Sequence, residues 1–177
     1  MDKLKSDLDF RLMALAYKVR DFLSPRTNVL KEADIEPGFR VLDYGCGPGS
    51  YILPLAELVG DSGEIYALDR NPLALRKVQG IASKRGLKNV KTIRSDCATG
   101  LQASSMDVVL FYDTFHDLSQ PGAVLRELHR VLKPNGTLSF GDHHMKEQTI
   151  LLKLTEGKLF ILSEKGRKTY GFLKQIS

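Results

Sequence analysis

Apolar positions along this 177-residue chain change their spacing at regular intervals, and each change marks an element. Leu4, Leu8, Leu12, Leu15, Val19 and Phe22 recur at steps of three and four, which predicts an amphipathic helix ended by Ser24-Pro25. A short helix over 28–33 precedes a turn at Glu36-Pro37-Gly38. From Phe39 onward, short runs rich in Val, Ile and Leu alternate with helical stripes. The predicted order is strand 39–43, helix 50–59, strand 63–69, helix 72–85, strand 90–96, strand 107–112, helix 121–132 and strand 137–142. Val124, Leu125, Leu128, Val131 and Leu132 make the buried stripe of the last helix, and Lys133-Pro134-Asn135-Gly136 reads as the turn that ends it. A helix near 147–156, a strand near 158–163, a turn at 164–167 and a strand near 169–175 complete the chain. This alternation predicts one α/β domain with a doubly wound, mostly parallel sheet in three layers.

The first strand runs into Asp43-Tyr44-Gly45-Cys46-Gly47-Pro48-Gly49, where alternate glycines free the backbone and leave it bare of Cβ atoms, so that a ligand can touch the main chain. Ser50 follows as a candidate cap for the next helix. A dinucleotide fingerprint needs glycine where Ser50 stands, and the Gly-Lys-Ser/Thr ending of a P-loop is absent. Asp43, two residues ahead of the glycines, repels a pyrophosphate and attracts an ammonium. The next two strands also end in carboxylates. Asp69, followed by Arg70, stands where a second strand places an acceptor for ribose hydroxyls. Asp96 ends the third strand with Cys97 beside it, and Tyr112 ends the fourth. Ligands of such sheets bind outside the carboxyl ends of the strands, where all these residues gather.

Asp43, Gly45, Gly47 and Gly49 resemble the acidic-x-Gly-x-Gly-x-Gly motif of the class I S-adenosylmethionine-dependent methyltransferases. The segment after the fourth strand and the Leu132-Lys133-Pro134-Asn135-Gly136 run are most similar to the ubiquinone- and menaquinone-type group. The resemblance covers residues 37–177. It implies a Rossmann-like sheet of seven strands, the C-terminal one antiparallel, with residues 1–36 as a helical cover. It also implies S-adenosylmethionine as cofactor, held by Asp43, Gly45, Cys46, Gly47, Gly49, Asp69, Arg70, Asp96, Cys97 and Tyr112, with Asp96 toward the adenine amino group. Tyr17, Tyr44, Tyr51, Tyr112 and Phe115 are candidates for facing a sulfonium. The candidate proton acceptors are Asp113 and His116 after the fourth strand and His143 and His144 after the fifth, of which Asp113, His116 and His143 are taken as catalytic.

Composition narrows this further. Hydrophobic residues at 42% suit one packed domain, no apolar run is long enough to span a bilayer, and the charged N-terminus is unlike a signal peptide, so a cytoplasmic protein is expected. Cys46 and Cys97 lack ligand or CxxC spacing and read as reduced thiols. Asp113, His116, Asp142 and His143 form a mixed donor set that no spacing selects, so no metal is expected. The net charge of +5 permits an acidic partner, but lysines and arginines are dispersed among acids, so nucleic acid is not favoured. Asp2, Asp7, Asp9 and Asp21 in the first helix weaken a membrane-docking role. The expected activity is methyl transfer to a small-molecule acceptor. An RNA methyltransferase, a non-catalytic cofactor-binding module and, disfavoured by Ser50, a nicotinamide dehydrogenase stay open, as does a homo-oligomer.

Overall fold

The computed structural model describes residues 7–23 and 26–176. Leu4, Ser24 and Pro25 of the predicted first helix lie outside them, as do Asp2 and the side chains of Asp7 and Phe22. Seven strands, β1 (Arg40–Tyr44), β2 (Glu64–Asp69), β3 (Val90–Arg94), β4 (Met106–Tyr112), β5 (Leu132–Gly141), β6 (Phe160–Lys165) and β7 (Tyr170–Lys174), form one sheet in the order β3-β2-β1-β4-β5-β7-β6. The first five pair in parallel, and β7 is antiparallel to both β5 and β6. Strands as apolar as β1 and β4 need cover on both faces, and helical crossovers provide it. On one face, α2 (Thr27–Leu30), α3 (Ile52–Val59) and α4 (Pro72–Arg85) close over Val41, Ile65, Val108 and Leu110. On the other, α5 (Pro121–Val131) and α6 (Glu147–Thr155) close over Leu42, Val109, Phe111 and Phe140. Phe111 and Phe140 meet edge to face at 5.5 Å. The parallel registers Tyr44↔Leu68, Asp69↔Arg94 and Tyr112↔Gly141 bring the carboxyl ends of these strands to one edge.

Four details differ from the sequence reading. First, α5 passes into β5 at Leu132 without the predicted turn. Met106 pairs with Leu132 and Val108 with Thr137, so Pro134 and Asn135 bulge outward within the strand. Proline lacks the N–H that a regular ladder needs, and a bulge accommodates it. Second, the first strand of the last hairpin sits two residues later than expected, with Glu164 and Lys165 inside β6 and the turn closed by Gly166 N–H donating to the Thr169 carbonyl, whereas β7 falls within the predicted 169–175.

Third, Ser50 is not a cap: α3 begins at Ile52 without a side-chain cap, and the Ser50 hydroxyl instead accepts from the Arg20 guanidinium at 3.4 Å. Fourth, α1 (Asp7–Leu23) forms as the spacing predicts, but Leu8, Leu12, Leu15 and Val19 are 54–67% exposed. The side that faces the sheet edge carries Phe10, Met13, Tyr17 and Arg20. Among the described residues no helix is long and apolar enough to cross a membrane.

Candidate active site

The chain leaves β1 through a loop that only glycine can follow. Gly45, Gly47 and Gly49 have φ of 80°, 50° and 86°, where side chains are strained. Gly45 and Cys46 donate their N–H groups to the Leu68 carbonyl at 2.8 and 3.0 Å, tying the loop to the end of β2. A Cβ at Gly45 would run into Thr114, and one at Gly49 would lie 2.9 Å from Ile81. At Gly47 the nearest atom to a Cβ is 4.0 Å away. Gly45 and Gly49 therefore serve packing, whereas Gly47 keeps open space above the main chain.

Asp69 is fixed by the same loop. Its Oδ2 accepts from Gly47 N–H at 2.9 Å and its Oδ1 from Asn71 N–H at 2.8 Å. Asn71 in turn caps α4 by accepting from Leu73 N–H. At the end of β3, the Tyr44 hydroxyl donates to the Asp96 carbonyl at 2.8 Å. Glu127 on α5 holds the following loop through the N–H and hydroxyl of Thr99, and its bond to Arg130 brings its carboxyl down to about 2.

These segments enclose a cavity of about 240 Å³. Its wall includes Gly45, Cys46, Gly47, Asp69, Arg70, Asp96, Cys97, Tyr112 and Asp113. Gly49 lies outside the wall, and so does Asp43. Asp43 is 3% exposed behind the loop, and among the described residues nothing hydrogen-bonds to its Oδ2. Burial, then the charge of Asp69, raises its carboxyl to about 7. A carboxylate with an unanswered oxygen beneath bare backbone fits a cation above that loop, and the fixed Asp69 beside it fits a polyhydroxylated group. Cys46 and Cys97 are free thiols, and burial pushes both upward in pKa.

The remaining predicted residues divide. Asp113, at φ 48°, lies on the wall of this cavity and of a second one of about 330 Å³, and Tyr51 and Tyr112 border both. Its Oδ1 accepts from the Nδ1 and backbone N–H of His143, at 2.7 and 3.1 Å. The second link crosses the first: His116 Nδ1 lies 2.8 Å from Asp142 Oδ2, and the His116 N–H donates to the same oxygen. The His144 ring stands 3.9 Å from that of His143 and 4.2 Å from that of His116. His116 lies outside both cavity walls, and His143 lines only the second. Tyr44 packs in the core and also lines the first cavity, whereas Phe115 packs in the core and lines neither. Among the described residues no group of three or more His, Cys, Asp and Glu side chains is arranged to hold a metal.

Sequence reasoning missed Phe10, Met13 and Arg20, which roof the cavity, and Ser95, Thr114 and 118–120, which complete its rim. The roof residues fall off the stripe that periodicity selects. Thr114 carried no motif, although its fit against Gly45 ties two strand ends together.

The family described as "Methyltransferase domain" matches residues 35–169. A demethylmenaquinone methyltransferase of Geobacillus kaustophilus is 34% identical over 118 residues, covering 66% of this chain and 50% of that protein. The aklanonic acid methyltransferase DauC of a Streptomyces species is 34% identical over 106 residues, 58% of this chain and 47% of its own. The chain thus spans about half the length of the curated relatives it matches. Among solved structures, a SAM-dependent methyltransferase from Aquifex aeolicus superposes with a TM-score of 0.77 at 27% identity, over 92% of this chain and 98% of that one. A structure from Methanococcus maripaludis, at 14% identity and a TM-score of 0.75 over all of this chain and 98% of its own, shares the fold.

Proposed function

The chain belongs to the methyltransferase-domain family, and from that membership we propose that it transfers a methyl group from S-adenosylmethionine to a small-molecule acceptor. The observation that carries this reading is the cavity wall on which Asp69, Asp96 and the open backbone at Gly47 converge. The relatives whose names give acceptors, demethylmenaquinone and aklanonic acid, support a small molecule on the acceptor side. When bound, the cofactor supplies a methyl group activated on a sulfonium.

The chain's own residues then have separable tasks. Asp69 accepts hydrogen bonds from vicinal hydroxyls, and its two backbone donors keep it in place while it does so. Asp96, with Cys97 and Ser95, receives an amino group at the far wall. Gly45, Cys46 and Gly47 offer main chain along the near wall, with Arg70 and Tyr112 at its ends. Asp43, behind the loop, contributes negative potential beneath a cation once its carboxyl ionises. The helical cover before β1 limits access from above with Phe10 and Tyr17, which favours an oriented acceptor over random encounter. Asp113 accepts a hydrogen bond from Nδ1–H of His143 and leaves Nε2 as the base toward an acceptor hydroxyl or acidic carbon. His116, turned to Asp142 and away from both cavities, positions the two loops.

Calorimetry with S-adenosylhomocysteine tests the cofactor half. Binding should weaken roughly 10–100-fold in Asp69→Ala, the range for lost charge-assisted hydrogen bonds. Folded protein that fails to bind the analogue at all would sink the reading. Once an acceptor is found by screening phenols, enols and carboxylic acids, His143→Gln should lower kcat by about 10²–10⁴ with little change in cofactor affinity. An unchanged kcat would take His143 out of the chemistry.

A further inference from the structure

The helix that roofs the cavity is apolar on two sides. Its inner side carries Phe10, Met13 and Tyr17, and its outer side exposes Leu8, Leu12, Leu15, Val19 and Leu23, at 67, 59, 61, 54 and 76%. We propose that this outer face is the contact surface for a second copy of the same chain, packed antiparallel as a symmetric pair of α1 helices.

The spacing selects a helix as the occupant. Leu8, Leu12, Leu15 and Val19 follow one another by four, three and four residues, the seam of a heptad pattern that a facing helix fills by knobs into holes. The seam is also complementary to itself. A twofold axis passing between Leu12 and Leu15 sets Leu12 against Leu15 of the second copy and Leu8 against its Val19, an isologous arrangement that closes on two chains. The same register brings Asp9 level with Lys18 of the other copy, and both lie beside the seam and not in it.

The exposed stripe offers roughly 500 Å² per copy, so a pair buries roughly 1,000 Å², the lower bound for a specific interface. A stripe of this size matches the largest apolar patch of a typical monomer, roughly 300–600 Å², which is often functional. A lipid surface fits less well: an interfacial helix presents a broad apolar face flanked by basic residues, whereas this stripe is narrow and is flanked by an acid, Asp9, as well as by Lys18. Because the inner side of the same helix covers the cavity, pairing would hold two roofs in place. The inference stands apart from the assignment of methyl transfer, since association is read without any substrate.

Sedimentation equilibrium from low micromolar to submillimolar concentration decides the matter. Wild-type mass should rise with concentration toward twice 19.8 kDa. Leu12→Glu/Leu15→Glu, which alters only exposed positions, should remain monomeric with an unchanged thermal melt. Should that variant lose its cooperative melt, Leu15→Lys alone is read in its place. A wild-type monomer at every concentration, or a dimer that survives both variants, overturns the proposal. So does a monomer that binds anionic phospholipid vesicles and loses that binding in the variant, an outcome that assigns the face to lipid.

Discussion

The floor of the cleft at residues 45–49 and its roof in α1 border the same cavity, yet they are attached in different ways. The floor is stitched to β2 through the Leu68 carbonyl and the Asp69 carboxylate and wedged against Thr114, so its shape is set by the most buried strands of the protein. The roof lays Phe10, Met13, Tyr17 and Arg20 over the cavity, and Phe10, although 6% exposed, belongs to neither apolar cluster that flanks the sheet. Rigidity therefore sits on the side proposed to hold a polar cofactor in one pose. The side proposed to face the acceptor is attached less firmly.

The severest way to break the contrast is to attack the floor. Gly45→Val forces a β-branched residue to φ 80° and drives its side chain into Thr114. The expected loss is about 3 kcal/mol of stability, or roughly 10 °C in Tm for a chain of this size. Cofactor-analogue binding should be lost with it. Gly47→Ala sharpens the result, because the space around Gly47 is open and only its positive φ resists. It should lower stability by about 1–2 kcal/mol and still weaken analogue binding. If the two variants melt alike, the floor is not wedged in the way the geometry requires.

Asp43 offers a subtler test of the same floor. Its folded carboxyl stands near 7 against an ordinary 3.8, chiefly through burial and then through Asp69. Between those values the folded state keeps a proton that the unfolded chain has released. The stability associated with that proton is complete below about pH 4 and drains away as pH rises toward 7. Asp43→Asn carries no such group, so its stability should decline less over this interval, with a gain of about 2 kcal/mol over wild type at pH 8. Binding of a cationic ligand should move the opposite way in wild type, strengthening as Asp43 ionises, and that pH dependence should vanish in the variant. Denaturant melts at pH 5 and pH 8 with and without S-adenosylhomocysteine, compared with the cationic analogue sinefungin, separate the two effects.

The floor was legible in the sequence because everything that shapes it is local: an apolar strand, glycines two apart, and carboxylates at or near the ends of the next two strands, Asp69 ending β2 and Asp96 falling two residues beyond β3 rather than within it. The parallel, doubly wound sheet followed from the alternation of periods. What stayed hidden depends on contacts distant along the chain. The spacing of Leu8, Leu12, Leu15 and Val19 announced α1 but not which side it buries, since Phe10, Met13 and Tyr17 make a competing apolar side. Pro134-Asn135-Gly136 has the chemistry of a turn, and only the pairing of β5 with β4 converts it into a bulge. The crossed pairs of Asp113 with His143 and His116 with Asp142 follow from the Tyr112↔Gly141 register, which sets the two loops side by side.

The smallest expected effect belongs to the roof. Phe10→Ala removes a large side chain, which in a packed core would cost about 3–5 kcal/mol. Here the ring lies over a cavity and outside both apolar clusters, so little structure collapses around its loss. The thermal melt should shift by no more than about 2 °C, corresponding to roughly 0.5 kcal/mol. Affinity for S-adenosylhomocysteine should fall by less than about tenfold, because Asp69, Asp96 and the glycine loop are untouched. An acceptor's KM should rise more than the cofactor's if the helix covers the acceptor side. A melt lowered as far as that of Gly45→Val would show that α1 is part of the folded core, and the distinction between a fixed floor and a yielding roof would fail.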